Sequence, residues 1–209
     1  MLFFIQVENR GIMIEVEKKF FLNEQHLQNI ANVATKIKQH HFTDVYYDTK
    51  DFQLTLKDRW LRARDGVFQL KEPLHESADR LADQYREIEE ESEIRERLNL
   101  PLQGTMQEAL EAHGYLPFCT CTTQRTKYKK DDFVIDIDAV SAEHFTYHLA
   151  EVELLVESSS QIEKALENIL AFAKSHQFTC EHVRGKVIEY LRQRKPDHFL
   201  KLLHAKVIK

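Results

Sequence analysis

Glu15-Val16-Glu17-Lys18-Lys19 sets two carboxylates and an ammonium at positions i, i+2 and i+4. In an extended strand that spacing aims all three at one face. The same interval recurs as Arg62-x-Arg64, Arg125-x-Lys127-x-Lys129, Asp136-x-Asp138 and Glu151-x-Glu153, while Val16, Ile137 and Val152 stand inside the acidic pairs. These strands have a charged face backed by an apolar one. A charged strand face is costly to enclose, so this one needs a polar use.

Outward from that stretch, residues 14 to 21 read as a strand. Asn23 then caps a helix whose apolar stripe runs Leu27, Ile30, Ala31, Ala34 and Ile37, with His40-His41 after its end as a C-terminal cap or a solvated pair. A meander comes next: Tyr46-Tyr47-Asp48, a polar turn, Trp60 to Arg64, the Asp65-Gly66 hairpin signal and Val67 to Lys71. Residues 73 to 82 read as a loop, Tyr85 to Glu89 as a strand, and Glu90 to Leu100 as a short acidic helix. A helix from Thr105 to His113 stops at Gly114, and strands run from Phe118 to Lys129, Asp132 to Asp138 and Tyr147 to Val156. After Ser158 a helical stripe (Ile162, Ala165, Leu166, Ile169, Leu170, Ala173) leads to two more helical stretches, about 184 to 195 and 197 to 207, divided by Pro196.

Short, mostly antiparallel strands with helices at the ends predict an α+β protein built on a closed or nearly closed barrel. Closure removes exposed strand edges and gives the paired charges one destination, a polar lumen. At 209 residues one domain is the expectation, with residues 1–12 as an extension ahead of a domain spanning 13–209. The net charge of −5 gives no electrostatic footprint for nucleic acid or a membrane surface. Three cysteines, Cys119, Cys121 and Cys180, have no zinc-type spacing and read as packing residues in a reducing compartment. The apolar start Met1-Leu2-Phe3-Phe4-Ile5 lacks a basic flank and a cleavage site, so the expected location is cytoplasmic.

Sorted by sign, the candidate lumen residues are Lys19, Arg62, Arg64, Lys71, Arg125 and Lys186 against Glu15, Glu17, Glu87, Asp136, Asp138, Glu151 and Glu153. Such a set either pairs internally as salt-bridge ladders or meets a ligand. Arginine forks with lysine point charges suit a phosphate chain. Closely spaced carboxylates with no histidine or cysteine among them suit Mg²⁺ or Mn²⁺. A polyphosphate with bound divalent metal satisfies both groups, and no G-x-x-x-x-G-K loop competes with it.

The ordered set Glu15-x-Glu17-x-Lys19, Trp60-Leu61-Arg62-Ala63-Arg64, Phe68-Gln69-Leu70-Lys71, Tyr85-Arg86-Glu87, Arg125, Asp136-x-Asp138, Glu151-x-Glu153 and Lys186 closely resembles the CYTH superfamily of triphosphate tunnel metalloenzymes, over about residues 13 to 200. Tyr46-Tyr47-Asp48-Thr49, Trp60 and Lys186-Val187-Ile188-Glu189-Tyr190-Leu191-Arg192 are most similar to the branch that hydrolyses thiamine triphosphate. The resemblance implies an eight-stranded antiparallel barrel whose tunnel holds a triphosphate. It implies that Lys19, Arg62, Arg64, Lys71, Arg125 and Lys186 hold phosphate oxygens. Glu15, Glu17, Asp136, Asp138, Glu151 and Glu153 would then hold or orient Mg²⁺ or Mn²⁺, with Glu87 supporting them; Glu15, Glu17, Lys19 and Glu87 are the expected catalytic group. Lys127 and Lys129 fall outside the pattern and are expected at the rim.

The implied activity is metal-dependent hydrolysis to thiamine diphosphate and phosphate by a monomer acting on a small molecule. Inorganic tripolyphosphatase, adenylate cyclase and a non-catalytic polyphosphate-binding module are the alternatives. Trp60, the only tryptophan, either packs in the core or stacks on a cationic thiazolium at the tunnel mouth.

Overall fold

The charged strands do wrap round one axis. In the computed structural model, which describes residues 14–74, 83–178 and 183–209, eight antiparallel strands close into a barrel. They are β1 (Ile14–Phe20), β2 (Thr35–Asp48), β3 (Trp60–Arg64), β4 (Val67–Pro73), β5 (Asp83–Ile88), β6 (Leu116–Lys130), β7 (Phe133–Ala142) and β8 (Phe145–Val156). Around the wall the order is β1-β5-β4-β3-β2-β6-β7-β8. The helices are α1 (Glu24–Val33), α2 (Glu91–Leu98), α3 (Met106–Ala112), α4 (Ile162–Ser175), α5 (Lys186–Arg194) and α6 (Pro196–His204).

Alternation along the strands explains how a charged lumen coexists with a stable wall. Val16, Phe20, Ile135, Val152 and Leu154 face outward and pack with Ile30 of α1 and Ala165, Ile169, Phe172 and Ala173 of α4. Leu61, Ala63, Leu70 and Ile88 do the same beneath α2 and α3, against Ile94, Leu98, Met106 and Leu110. These two clusters form a jacket outside the barrel, which leaves much of the inside free for charge. A third cluster joins Leu149 and Phe145 to Val187 and Leu191 of α5 and Phe199 and Leu202 of α6. No described helix is long and apolar enough to cross a membrane.

The first helix is shorter than its apolar stripe. Ala34 is already extended (φ −120°, ψ 148°), and Thr35–Asp48 is a single strand of 14 residues. Ile37 is therefore an exposed strand residue, and His40 and His41 pair with Arg125 and Gln124 of β6 in mid-strand. Neither histidine caps a helix. The cross-strand ladder to β6, with β-branched Thr35 and Ile37 on this segment, overrides a helical periodicity carried only by Ala34 and Ile37. Pro196 opens α6 at its first turn, where its missing N–H costs nothing. The expected extension 1–12, most of the 73–82 loop and Cys180 lie outside the described residues.

His198 ties α6 to the loop before β3. Its Nε2 lies 2.7 Å from Thr55 Oγ1, and its ring stacks on Phe52 at 3.8 Å between centroids. Burial, with Lys201 and Lys195 nearby, pulls its pKa from 6.5 down to about 4. A histidine buried neutral contributes stability that is complete above its unfolded pKa and is lost as the pH falls from 6.5 toward 4. The melting temperature is therefore expected to fall between pH 7 and pH 5, and to fall less in His198→Gln; differential scanning calorimetry across that range checks it.

Candidate active site

Every one of the sequence-selected lysines, arginines and carboxylates lies on a lumen-facing position or reaches into the lumen, and the register shows why. Across β1 and β8, Glu17 stands opposite Glu153 and Lys19 opposite Glu151. Across β6 and β7, Arg125 opposes Asp138 and Lys127 opposes Asp136. Lys71 faces Glu87 across β4 and β5. The resulting cavity has a volume of about 460 Å³, and Glu15, Glu17, Lys19, Arg62, Arg64, Lys71, Glu87, Arg125, Glu151, Glu153, Lys186 and Trp60 line it. Asp136 and Asp138, each 1% exposed, sit behind Arg125 rather than on the cavity surface.

The bases sit in three groups. Lys71 Nζ is 2.9 Å from Glu15, 3.9 Å from Glu17 and 3.8 Å from Glu87. Glu17 also pairs with Lys19. Arg62 donates to Glu87 Oε1 at 2.8 Å and, through Nε, to Gln69 Oε1 at 2.8 Å. Arg125 forks onto Asp138 with two bonds of 2.6 Å, reaches Glu151 at 2.8 Å and pairs with Asp136. Burial opposes charge on each of these groups, but the surrounding carboxylates win at Lys71 and Arg125, which stay protonated well above their ordinary ranges.

The third group rests on a residue that the sequence reading missed. Asp44 of β2 has no exposed surface. It accepts from Arg64 Nε at 2.8 Å and Nη2 at 3.1 Å, and from Lys186 Nζ at 2.6 Å. Burial alone would raise this carboxyl; the Arg64 hydrogen bonds and the Lys186 charge hold it well below the usual carboxylate range. Beneath lies Phe42, two residues earlier on the same face. Its ring centroid is 4.0 Å from Arg64 Cζ, 4.8 Å from Lys186 Nζ and 5.4 Å from Arg125 Cζ. An aromatic floor gathers three cations without supplying a full negative charge that phosphate would have to displace. The pattern Phe42-x-Asp44-x-Tyr46 carried the signal, since its period is that of an inward face.

Lys127 corrects a second expectation. It is no rim charge: its Nζ is 2.9 Å from Asp136 Oδ1 and 3.7 Å from Glu153. Near Lys186, Gly185 leaves room for a basic neighbour, since a Cβ there would stand 3.2 Å from Lys19 Cε.

The acidic wall fits a hard divalent cation in its donor types. Carboxylate oxygens of Glu15, Glu17, Glu151 and Glu153 share one side of the cavity. Burial and then the Glu15 charge push Glu153 up to about 8, and burial raises Glu15 as well despite Lys71. Asp136 Oδ1 is buried, and Lys127 Nζ at 2.9 Å is the charge that faces it. Carboxylates crowded in this way favour a shared cation. Among the described residues, though, no three His, Cys, Asp or Glu side chains converge in a metal-binding arrangement; the carboxylates face bases instead.

Trp60 is 8% exposed and lines the apolar end of the cavity. Its Nε1 donates to Asp58 Oδ1 at 2.8 Å, and the same oxygen accepts from Tyr85 at 2.9 Å. The indole is thus both packed and fixed in orientation at the cavity wall.

Comparison with known proteins agrees with this geometry. The CYTH domain family model matches residues 13–180. A thiamine-triphosphatase of Macaca fascicularis and one of Homo sapiens are each 28% identical over 211 residues, covering 92% of this chain and 90% of theirs. The solved structure of the PH1819 protein from Pyrococcus horikoshii superposes with a TM-score of 0.63 at 20% identity, over 86% of this chain and 99% of that one. At that identity the likeness speaks for the fold.

Proposed function

This chain belongs to the CYTH domain family, and on that basis we propose that it is a metal-dependent triphosphatase that hydrolyses thiamine triphosphate to thiamine diphosphate and phosphate. The observation that carries the reading is the segregation of charge in one enclosed cavity: Arg62, Arg64, Lys71, Arg125 and Lys186 converge from three strands and a helix opposite a carboxylate wall. The curated relatives are thiamine-triphosphatases matched over most of their length. That supports the organic substrate over the inorganic one.

In this mechanism the basic side chains exchange their carboxylate partners for phosphate oxygens and hold the chain extended. Arg62 and Arg64, which donate to Glu87 and Asp44 in this structure, can bind phosphate in a bidentate way. A water oxygen attacks the terminal phosphorus and passes a proton to bulk water or a wall carboxylate, the P–O bond to the bridging oxygen breaks, and its electron pair leaves on the diphosphate. Lys71 and Arg125 lie where charge spreads onto the phosphoryl oxygens, and fixed donors of this kind provide most of the stabilisation in phosphoryl transfer. Glu15, Glu17, Glu151 and Glu153, with Asp136 and Asp138 behind, would hold Mg²⁺ or Mn²⁺, which supplies Lewis acidity at the phosphate oxygens and activates water. Glu87 holds Arg62 and Lys71 in place.

Chromatographic product analysis with thiamine triphosphate tests the reading: thiamine diphosphate and phosphate appear in equal amounts with Mg²⁺ or Mn²⁺, and chelation stops the reaction. Turnover that survives chelation removes the metal, and no turnover removes the activity. For Trp60 the expected role is cation–π stacking on the thiazolium, worth about 0.5 to 2 kcal/mol. Trp60→Leu is then expected to raise KM for thiamine triphosphate about 2- to 30-fold, the same energy converted, while leaving tripolyphosphate kinetics nearly unchanged. Parallel losses on the two substrates would point to a packing role alone.

A further inference from the structure

The cavity is charged along the barrel and apolar where the last helix ends. α6 closes at Ala205, and Lys206 adopts the left-handed conformation (φ 57°). Its N–H donates to Leu203 O at 3.0 Å, while the N–H of Val207 reaches back to Leu202 O at 3.0 Å. This pair of bonds satisfies carbonyls that the helix end leaves open and turns the chain sharply. A lysine pays conformational free energy at a positive φ that a glycine would not, so packing of the residues beyond it must hold the turn. Those residues, Val207, Ile208 and Lys209, stand on the cavity wall. Val207 is 7% exposed, and with Ile208 it joins the apolar cluster that contains Trp60, Tyr85 and Val187.

Aliphatic carbon has nothing to offer a phosphate chain, and placing a polyanion against it costs desolvation. A ring system gains from the same contact, particularly where fixed polar groups are few and oriented. Here the aromatic side is oriented by Asp58, which holds both Trp60 and Tyr85. The apolar end has no use in a cavity evolved for inorganic tripolyphosphate.

We propose that Val207 and Ile208, delivered by the left-handed turn at Lys206, form a wall of the subsite for the substrate's organic group and set the preference for an organic over an inorganic triphosphate. The inference rests on the triphosphatase reading and adds to it the segment that decides specificity.

The test is Ile208→Asn beside Ile208→Leu, with kcat and KM measured for thiamine triphosphate, ATP and tripolyphosphate. Ile208→Asn is expected to raise KM for thiamine triphosphate about tenfold, with KM for tripolyphosphate moving less than about twofold and Ile208→Leu staying close to wild type on all substrates. A second pair addresses the turn: Lys206→Gly keeps the preference, and Lys206→Ile, β-branched and ill-suited to a positive φ, relaxes it. Equal changes on organic and inorganic substrates, or an unchanged ratio in both Ile208→Asn and Lys206→Ile, overturn the proposal. A wild-type protein that prefers tripolyphosphate over both organic triphosphates also overturns it, while leaving triphosphatase chemistry standing. Calorimetric affinities for thiamine triphosphate and tripolyphosphate without added metal are read on the same variants. If no triphosphate is turned over, the hydrolase reading falls, and the binding ratio still decides the wall.

Discussion

Lys71→Ala and Arg62→Ala are each expected to lower kcat/KM for triphosphate hydrolysis by about a hundredfold to a thousandfold, the usual cost of removing one preorganised donor to developing negative charge. Lys71 lies between Glu15, Glu17 and Glu87, and Arg62 bridges Glu87 and Gln69, so both point at the centre of the cavity from adjacent strands. Their carboxylate partners keep access to solvent through the cavity, with side-chain exposures of 17% at Glu15 and 26% at Glu87. Loss of the base therefore weakens the site more than the fold. Steady-state kinetics beside circular dichroism separates the two effects. Folded variants with near-normal turnover would remove these residues from the phosphate site.

Asp44→Ala is expected to act on the fold first. The carboxylate is fully buried and holds Arg64 and Lys186, whose charges would be left in the barrel without this partner. Breaking a buried pair from one side costs about 3 to 5 kcal/mol. In a domain of this size that corresponds to a drop in melting temperature of roughly 6 to 20 °C. Asp44→Asn keeps the shape and removes the charge, so it is expected to lose a large part of the same stability. The pH dependence has a definite sign. A carboxyl held well below its ordinary value of 3.8 contributes stability that is present above that value and is lost as the pH falls below it. Wild type and Asp44→Asn should therefore converge in stability on strong acidification. Thermal melts at neutral and acid pH check this, and a variant that melts like wild type at neutral pH would show that Asp44 does not anchor the pair.

The barrel was legible because its strands announce themselves twice, by an apolar outer face and by charged residues at the same two-residue interval. Glu15-x-Glu17-x-Lys19, Asp136-x-Asp138 and Glu151-x-Glu153 all lie on inward faces of β1, β7 and β8, where register sets Lys19 against Glu151 and Arg125 against Asp138 but also acid against acid at Glu17 and Glu153. Two things escaped. The first half of β2 reads as a helix tail because Ala34 and Ile37 extend a helical stripe, and only pairing with β6, far along the chain, decides otherwise. Asp44 is a single acid among Phe42, Thr43 and Val45, and its partner Lys186 is 142 residues away, beyond any local pattern. Lys127 shares the face of Arg125 by spacing, but its place inside the lumen rather than at the rim followed only from its register opposite Asp136. Local periodicity gave the faces; long-range pairing gave the partners.

Whether one charged cavity hydrolyses an organic triphosphate is decided by a side-by-side turnover assay of thiamine triphosphate, tripolyphosphate and ATP, each with Mg²⁺ and with Mn²⁺. The highest kcat/KM is expected for thiamine triphosphate, with thiamine diphosphate and phosphate as products. Release of cyclic AMP and pyrophosphate from ATP, or tight binding of all three without turnover, would contradict the hydrolytic function.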